Sequence, residues 1–339
     1  MLLNKQDLNK ALSLLSKDYK VYAPIINYIE GSEPEKKFDV FADGREVALE
    51  GPNSVKPPKD VLFPSVEKMY EYKMGLKGEI NELTPADEKT VLFGIRPCDA
   101  KSIDAMDKVF LTKGYVDSYY AKRRDNVTIV AIGCAEPSRT CFCDSMGLNP
   151  NDAPNADVMI NFSSEDDAKY VLRAYTEKGK ELLSKIESLA NSGDEKIKDD
   201  TKCSLQIVKA DDLDKKLAKM FEHPIWDKVT KGCIGCGTCT YVCPTCYCFD
   251  IDSENYGAEG CKYRCWDSCM FSDYTRMAGG ANPRPSKKER LRNRYMHKLS
   301  YFNERYGQTL CVGCGRCVEK CPSHLDISEF IEKASAQEV

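Results

Sequence analysis

Cys233, Cys236, Cys239 and Cys243, followed by Pro244, spell C-x2-C-x2-C-x3-C-P, and Cys311, Cys314, Cys317 and Cys321, followed by Pro322, spell it again. A chain with this repeat must fold so that clustered thiolates face one another. The run is the bacterial-type [4Fe–4S] signature. Two-residue steps let a loop wrap a cubane and offer three thiolates to three irons. Gly235, Gly237, Gly313 and Gly315 let the backbone come close. In two-cluster ferredoxins the fourth cysteine of each run ligates the other cluster. The expected sets are therefore Cys233, Cys236, Cys239 and Cys321 for one cluster, and Cys311, Cys314, Cys317 and Cys243 for the other. Structural zinc is the competing reading, but it usually takes paired C-x-x-C halves, not triplets with a distant Cys-Pro.

The chain holds 18 cysteines in 339 residues. Disulfides at this density belong to small secreted domains. This chain is long, and its N-terminus reads as an amphipathic helix, not a secretory signal. No run of 18 apolar residues occurs, so no membrane span is expected. A reduced, anoxic cytoplasm is the expected setting. The formal charge of −4 argues against a nucleic-acid partner.

The organisation reads as α+β. Residues 1–214 form an α/β domain with a largely parallel or mixed sheet. Residues 215–339 form a mainly helical, ferredoxin-like domain with two [4Fe–4S] motifs. TVLFGIRPCDA (90–100) reads as a buried strand, a turn at Pro97 and then a helix from SIDAMDKVF, and NVTIVAIGC (126–134) as an apolar strand ending in a cysteine, as in strands covered on both faces. The runs ADVMINF and AKYVLRAY read as a hairpin, and residues 191–202 as an exposed polar loop.

Ten cysteines lie outside the two motifs. Cys98 and Cys134 end predicted buried strands, and Cys141 and Cys143 follow within nine residues of Cys134. Ligands gather beyond the carboxyl ends of strands in an open parallel sheet. Two readings stand: a third cluster held by Cys98, Cys134, Cys141 and Cys143, or four buried thiols packing as small hydrophobes. Cys246, Cys248 and Cys269 lie near the first motif, and their role, with that of Cys261 and Cys265, is left open. Cys203 is isolated and reads as a packing residue. The basic run 283–298 has three readings: cluster support or docking, a solvated helix face, or a nucleic-acid patch. No G-x-G-x-x-G follows a strand and no Walker A motif occurs, so no nucleotide site is legible. The three histidines, His223, His297 and His324, sit beside no evident nucleophile. The legible chemistry is one-electron transfer, with no catalytic residue to name.

The segments GIRPCDAKSIDAMDKVFL, CFCDSMG, CIGCGTCTYVCPTCYCFDI, RCWDSCMF, AGGANPRPSKKERLRNRYMHK and CVGCGRCVEKCP resemble one family. It is the iron–sulfur electron-transfer family that supplies the beta subunit of sulfhydrogenases and the corresponding iron–sulfur component of anaerobic sulfite reductases. The resemblance covers most of the chain. It implies a non-catalytic, cytoplasmic electron-transfer subunit of an oxidoreductase complex. One expected partner is an NAD(P)H-oxidising, diaphorase-type subunit carrying FAD. The other is a terminal catalytic subunit: a [NiFe] hydrogenase, a sulfite or sulfur reductase, or a heterodisulfide-reductase-like enzyme. The family's cluster cysteines match the eight motif cysteines, and its N-terminal cysteines match Cys98, Cys134, Cys141 and Cys143. Cys261 and Cys265 depart from the family pattern. The alternative is a self-contained iron–sulfur reductase whose α/β domain binds a flavin or small substrate.

Overall fold

The structure is a computed structural model that describes all residues except Ser32, Lys113 and Val339. Two sheets organise it. The strands in chain order are β1 (Leu2–Asn4), β2 (Lys20–Asn27), β3 (Glu35–Val40), β4 (Val66–Lys73), β5 (Glu79–Glu82), β6 (Thr90–Ile95), β7 (Val127–Ile132), β8 (Val158–Phe162), β9 (Lys169–Ala174), β10 (Ala190–Asn191), β11 (Phe249–Tyr256) and β12 (Glu259–Trp266). The large sheet runs β10-β1-β9-β8-β7-β6-β2-β3. Its centre, β2-β6-β7-β8, is parallel, and both flanks are antiparallel.

Of the stretches 90–100 and 126–134, Thr90–Ile95 and Val127–Ile132 become the two central strands, buried at every position. Successive side chains leave opposite faces of a strand. Val91, Phe93, Val130 and Ile132 pack with α1 (Leu8–Leu15), while Leu92, Ile129 and Ala131 pack under α2 (Pro97–Phe110) and α3 (Ser118–Asn126). Pro97, expected as a turn ahead of a helix from Ser102, instead opens α2 itself, at a position where a missing N–H costs nothing. The runs expected to pair as a hairpin do so: β8 and β9 are antiparallel. A fourth helix, α4 (Glu177–Ser184), closes this face.

The remaining helices gather around the cysteine motifs: α5 (Leu213–Lys219), α6 (Ile225–Thr230), α7 (Thr238–Tyr241), α8 (Lys287–Met296), α9 (Phe302–Tyr306), α10 (Arg316–Glu319) and α11 (Ile327–Ser335). Trp226, Leu291, Tyr295, Phe330 and Ile331 form their core. The segment His297–Tyr301 between α8 and α9 is π-helical. Such turns are frequent at functional sites.

The mainly helical reading of 215–339 needs one correction. It also contains the antiparallel hairpin β11–β12, which joins β4 and β5 in a second sheet ordered β11-β12-β4-β5. This pairing ties residues 259–266 to residues 66–73, across the boundary expected near 215. Most of β11 is exposed and polar, so it carries little of the apolar signal by which a strand is read.

Candidate metal centres

Both cysteine motifs adopt one local geometry. Gly235 and Gly313 have φ of 74° and 65°, and Gly237 and Gly315 have φ of 76° and 73°. The left-handed glycines turn the chain back twice, and each second glycine then starts a short helix, α7 or α10, that packs on the other. Thiols from both motifs thereby face one another across the helix pair.

Two cavities result. Cys233, Cys236, Cys239 and Cys321 line the first, and Cys243, Cys311 and Cys314 line the second, while Cys317 reaches both. The fourth cysteine of each motif thus sits with the first three of the other, the crossed grouping expected from the spacing. Among the described residues no three Cys, His, Asp or Glu side chains converge tightly enough for a single metal ion.

The glycines also answer a demand the sequence does not display. A Cβ at Gly313 would lie 2.6 Å from Cys143 Cα, and one at Gly315 would lie 2.4 Å from the Thr140 carbonyl oxygen. The second motif is therefore pressed against the loop 140–143. Phe142 N–H donates to the Gly313 carbonyl at 2.8 Å. Arg316, at the start of α10, makes a buried bidentate pair with Asp99 in the first turn of α2, at 2.6 and 2.9 Å. It also donates from Nε to the Ser54 carbonyl at 2.7 Å.

That docking builds a third thiol site. Cys98, Cys134, Cys141 and Cys143 line one cavity with Asn53 and Cys314. All four are buried. Cys98 stands in the first turn of α2, directly after β6, and Cys134 follows the end of β7. Arg96 donates to the Gly133, Leu49 and Gly51 carbonyls, which fixes the two strand ends together. The site lies at the carboxyl edge of the parallel strands.

Sequence reading missed a fifth thiol here. Cys203 Sγ lies 3.5 Å from Cys143 Sγ and is buried. Its segment is stitched to the 143–146 turn: Asp144 Oδ2 accepts from Cys203 N–H at 3.0 Å, and Ser145 Oγ accepts from Ile207 N–H at 3.1 Å. Sixty residues separate the two cysteines, and no spacing rule joins them.

The basic run resolves in favour of the cavities. Arg290, Arg292, Arg294 and Lys298 are buried, so the solvated-face reading does not hold for them. Lys287, Arg294 and Lys298 recur at about helical spacing and share one face. Lys287 Nζ donates to the Cys233 carbonyl at 2.7 Å. Arg294 borders both motif cavities and donates to the Cys239 carbonyl at 3.2 Å. Lys298 Nζ lies 3.1 Å from Cys243 Sγ and 3.0 Å from Thr245 Oγ1. Burial alone would lower the Lys298 ammonium, but Cys243 and Cys246 outweigh it and hold its pKa above the ordinary value.

Burial raises most of the cavity thiols. It pushes Cys239 and Cys311 up to about 11 and Cys141 up to about 12. Cys98 is also held well above the ordinary range by burial. Such thiols are neutral at pH 7 unless a metal deprotonates them. Cys243 goes the other way: a hydrogen bond with Cys246 lowers it.

Of the other cysteines, Cys248 pairs with Cys269. Their hydrogen bond lowers Cys248 to about 6 and raises Cys269. Cys261 and Cys265 lie on β12, paired across the sheet with Glu254 and Asp250, and line none of the three thiol cavities.

Three features fit anionic clusters at these sites. Arg294 Nε is buried without a partner beside both motif cavities. Asn53 turns its amide N–H donors to the third cavity, its nitrogen 3.8 Å from Cys98 Sγ and 3.9 Å from Cys141 Sγ. Lys298 is a buried ammonium facing a thiol. Unpaired buried charge is costly, so this set calls for a buried negative group.

Comparison with known proteins agrees with this chemistry. Residues 232–325 match the 4Fe-4S dicluster domain family. Over 324 residues the chain is 33% identical to the sulfhydrogenase 2 subunit beta of Pyrococcus furiosus, an alignment spanning 93% of this chain and 92% of that one. Among the described residues no helix is long and apolar enough to cross a membrane.

Proposed function

Because the chain belongs to the iron–sulfur beta-subunit family of sulfhydrogenases, we propose that it is a three-cluster electron relay within a multi-subunit oxidoreductase. Cys233, Cys236, Cys239 and Cys321 would hold the first cluster. Cys243, Cys311, Cys314 and Cys317 would hold the second. Cys98, Cys134, Cys141 and Cys143 would hold the third, with Cys203 at its edge. When bound, [4Fe–4S] clusters accept and release single electrons at potentials the surrounding protein sets.

One observation carries this reading: the three thiol cavities share walls. Cys317 and Arg294 border the first and second, and Cys314 borders the second and third. The row has two ends. At one end Cys236 is exposed and the neighbouring Ile234 is 62% exposed. The other end lies at the carboxyl edge of the large sheet. Two ends suit two partners, a flavin subunit that oxidises NAD(P)H and a terminal catalytic subunit such as a hydrogenase. The protein's own work is to hold the thiolates, neutralise their charge and keep water from the middle of the row.

The test is spin quantitation on anoxically purified, fully reduced protein. Three reduced [4Fe–4S] signals per chain are expected in the wild type, and two in a Cys98→Ala, Cys141→Ala double variant. A wild type with only two, unaltered by that double variant, would leave the third site as packing.

A further inference from the structure

Lys298 has no carboxylate partner among the ion pairs of the described residues. The residue is 3% exposed, and its ammonium sits 3.1 Å from Cys243 Sγ and 3.0 Å from Thr245 Oγ1. The π-helical turn His297–Tyr301 is what carries it there from the end of α8. The Lys298 carbonyl is tied as well, accepting from Leu310 N–H at 2.8 Å, one residue before the second motif. This cation is therefore fixed against a sulfur of the middle site.

The middle site needs it. Buried clusters are harder to reduce than exposed ones, because each added electron is negative charge placed in low dielectric. The first site can draw on water at Cys236, which is exposed. The second has no exposed cysteine: Cys243 is buried, Cys311, Cys314 and Cys317 are half-buried, and Phe142, Val312 and Ile327 line the cavity. A relay whose middle step is much harder to reduce than its ends would stall.

We propose that Lys298 is the fixed counter-charge that keeps the middle cluster reducible. This rests on the cluster reading above. The step concerned is a one-electron reduction with no bond made or broken. The electron arrives from the neighbouring reduced cluster, and the ammonium stabilises the more negative product more than the starting state. Arg294 stands between the first and second sites and favours both, so Lys298 acts on the second selectively. It is a positioning residue: it donates to a ligand sulfur and touches no substrate.

The experiment is a redox titration of the anoxically purified, fully loaded protein, followed by electron paramagnetic resonance. In Lys298→Met, at a fixed ambient potential, the reduced-to-oxidised ratio of one cluster is expected to fall at least tenfold, or about 59 mV for a one-electron couple. The other signals should stay in place, and Lys298→Arg should restore the ratio. An unmoved titration in Lys298→Met with full iron content overturns the inference and leaves the cluster reading intact. A wild type that binds no clusters overturns both. If Lys298→Met loses its iron, the wild type answers directly. Protein grown with isotopically labelled lysine nitrogen should show a nuclear coupling in the reduced signal of one cluster. Absence of that coupling overturns the proposal.

Discussion

Replacing Asp99 by Ala should destabilise the protein far more than breaking any of its surface ion pairs. Asp99 and Arg316 have side chains 1% and 3% exposed and make two short hydrogen bonds across the junction between α2 and α10. Removing the carboxylate strands a buried guanidinium, which typically costs about 3–5 kcal/mol. With a urea dependence of about 3 kcal/mol per molar, the unfolding midpoint should fall by about 1–1.7 M. The exposed pair Arg173–Asp194, with side chains 38% and 70% exposed, is the control. Asp194→Ala should move the midpoint by less than about 0.3 M, since such pairs contribute about 0–1 kcal/mol. The assay is far-ultraviolet circular dichroism under anoxic conditions. Asp99→Leu with Arg316→Met should recover most of the loss, because replacing both partners removes the buried charge. Equal, small shifts for Asp99→Ala and Asp194→Ala would refute the view that this pair clamps the second motif onto the α/β layer.

Gly313→Ala places a Cβ 2.6 Å from Cys143 Cα at a φ of 65°, so it should push the 140–143 loop away. Iron per chain should drop by about a third, with the signal of the first site retained; an unchanged iron content would count against the docking argument. Cys236→Ala and Cys314→Ala should damage different clusters, and loss of the same signal from both would break the crossed assignment. The Cys248 thiol, lowered to about 6 by its hydrogen bond with Cys269, should alkylate near its plateau rate at pH 7. An ordinary thiol with a pKa of about 8.5 would be largely protonated there. The depressed value favours folding above the unfolded pKa, and that stabilisation is lost as pH falls through about 6. Cys269→Ala should move the alkylation inflection upward, and a wild-type inflection near 8.5 would contradict the pairing.

Much of the site was legible because its signal is local. The eight motif cysteines and four glycines sit at fixed short spacings, and the loop geometry follows from them. The strands within 90–100 and 126–134 were legible as continuous apolar runs, and with them the edge where Cys98 and Cys134 meet, though the helix begins at Pro97, earlier than the run suggests. What stayed hidden depends on contacts distant in sequence. Cys203 is brought to Cys143 by hydrogen bonds of its segment to Asp144 and Ser145. Arg294 and Lys298 read as members of a basic run, and only packing against the cavities separates them from surface cations. The β11–β12 hairpin was missed because β11 is mostly exposed and polar, and because β4, the other partner of β12, lies far back in the chain.

The proposed relay is three [4Fe–4S] clusters in a row. Iron and acid-labile sulfide measured together on anoxically purified protein, with Mössbauer spectroscopy to identify the iron, test it most directly. About twelve irons and twelve sulfides per chain are expected, all in cubane clusters. Stoichiometric zinc, or iron without sulfide, would contradict it.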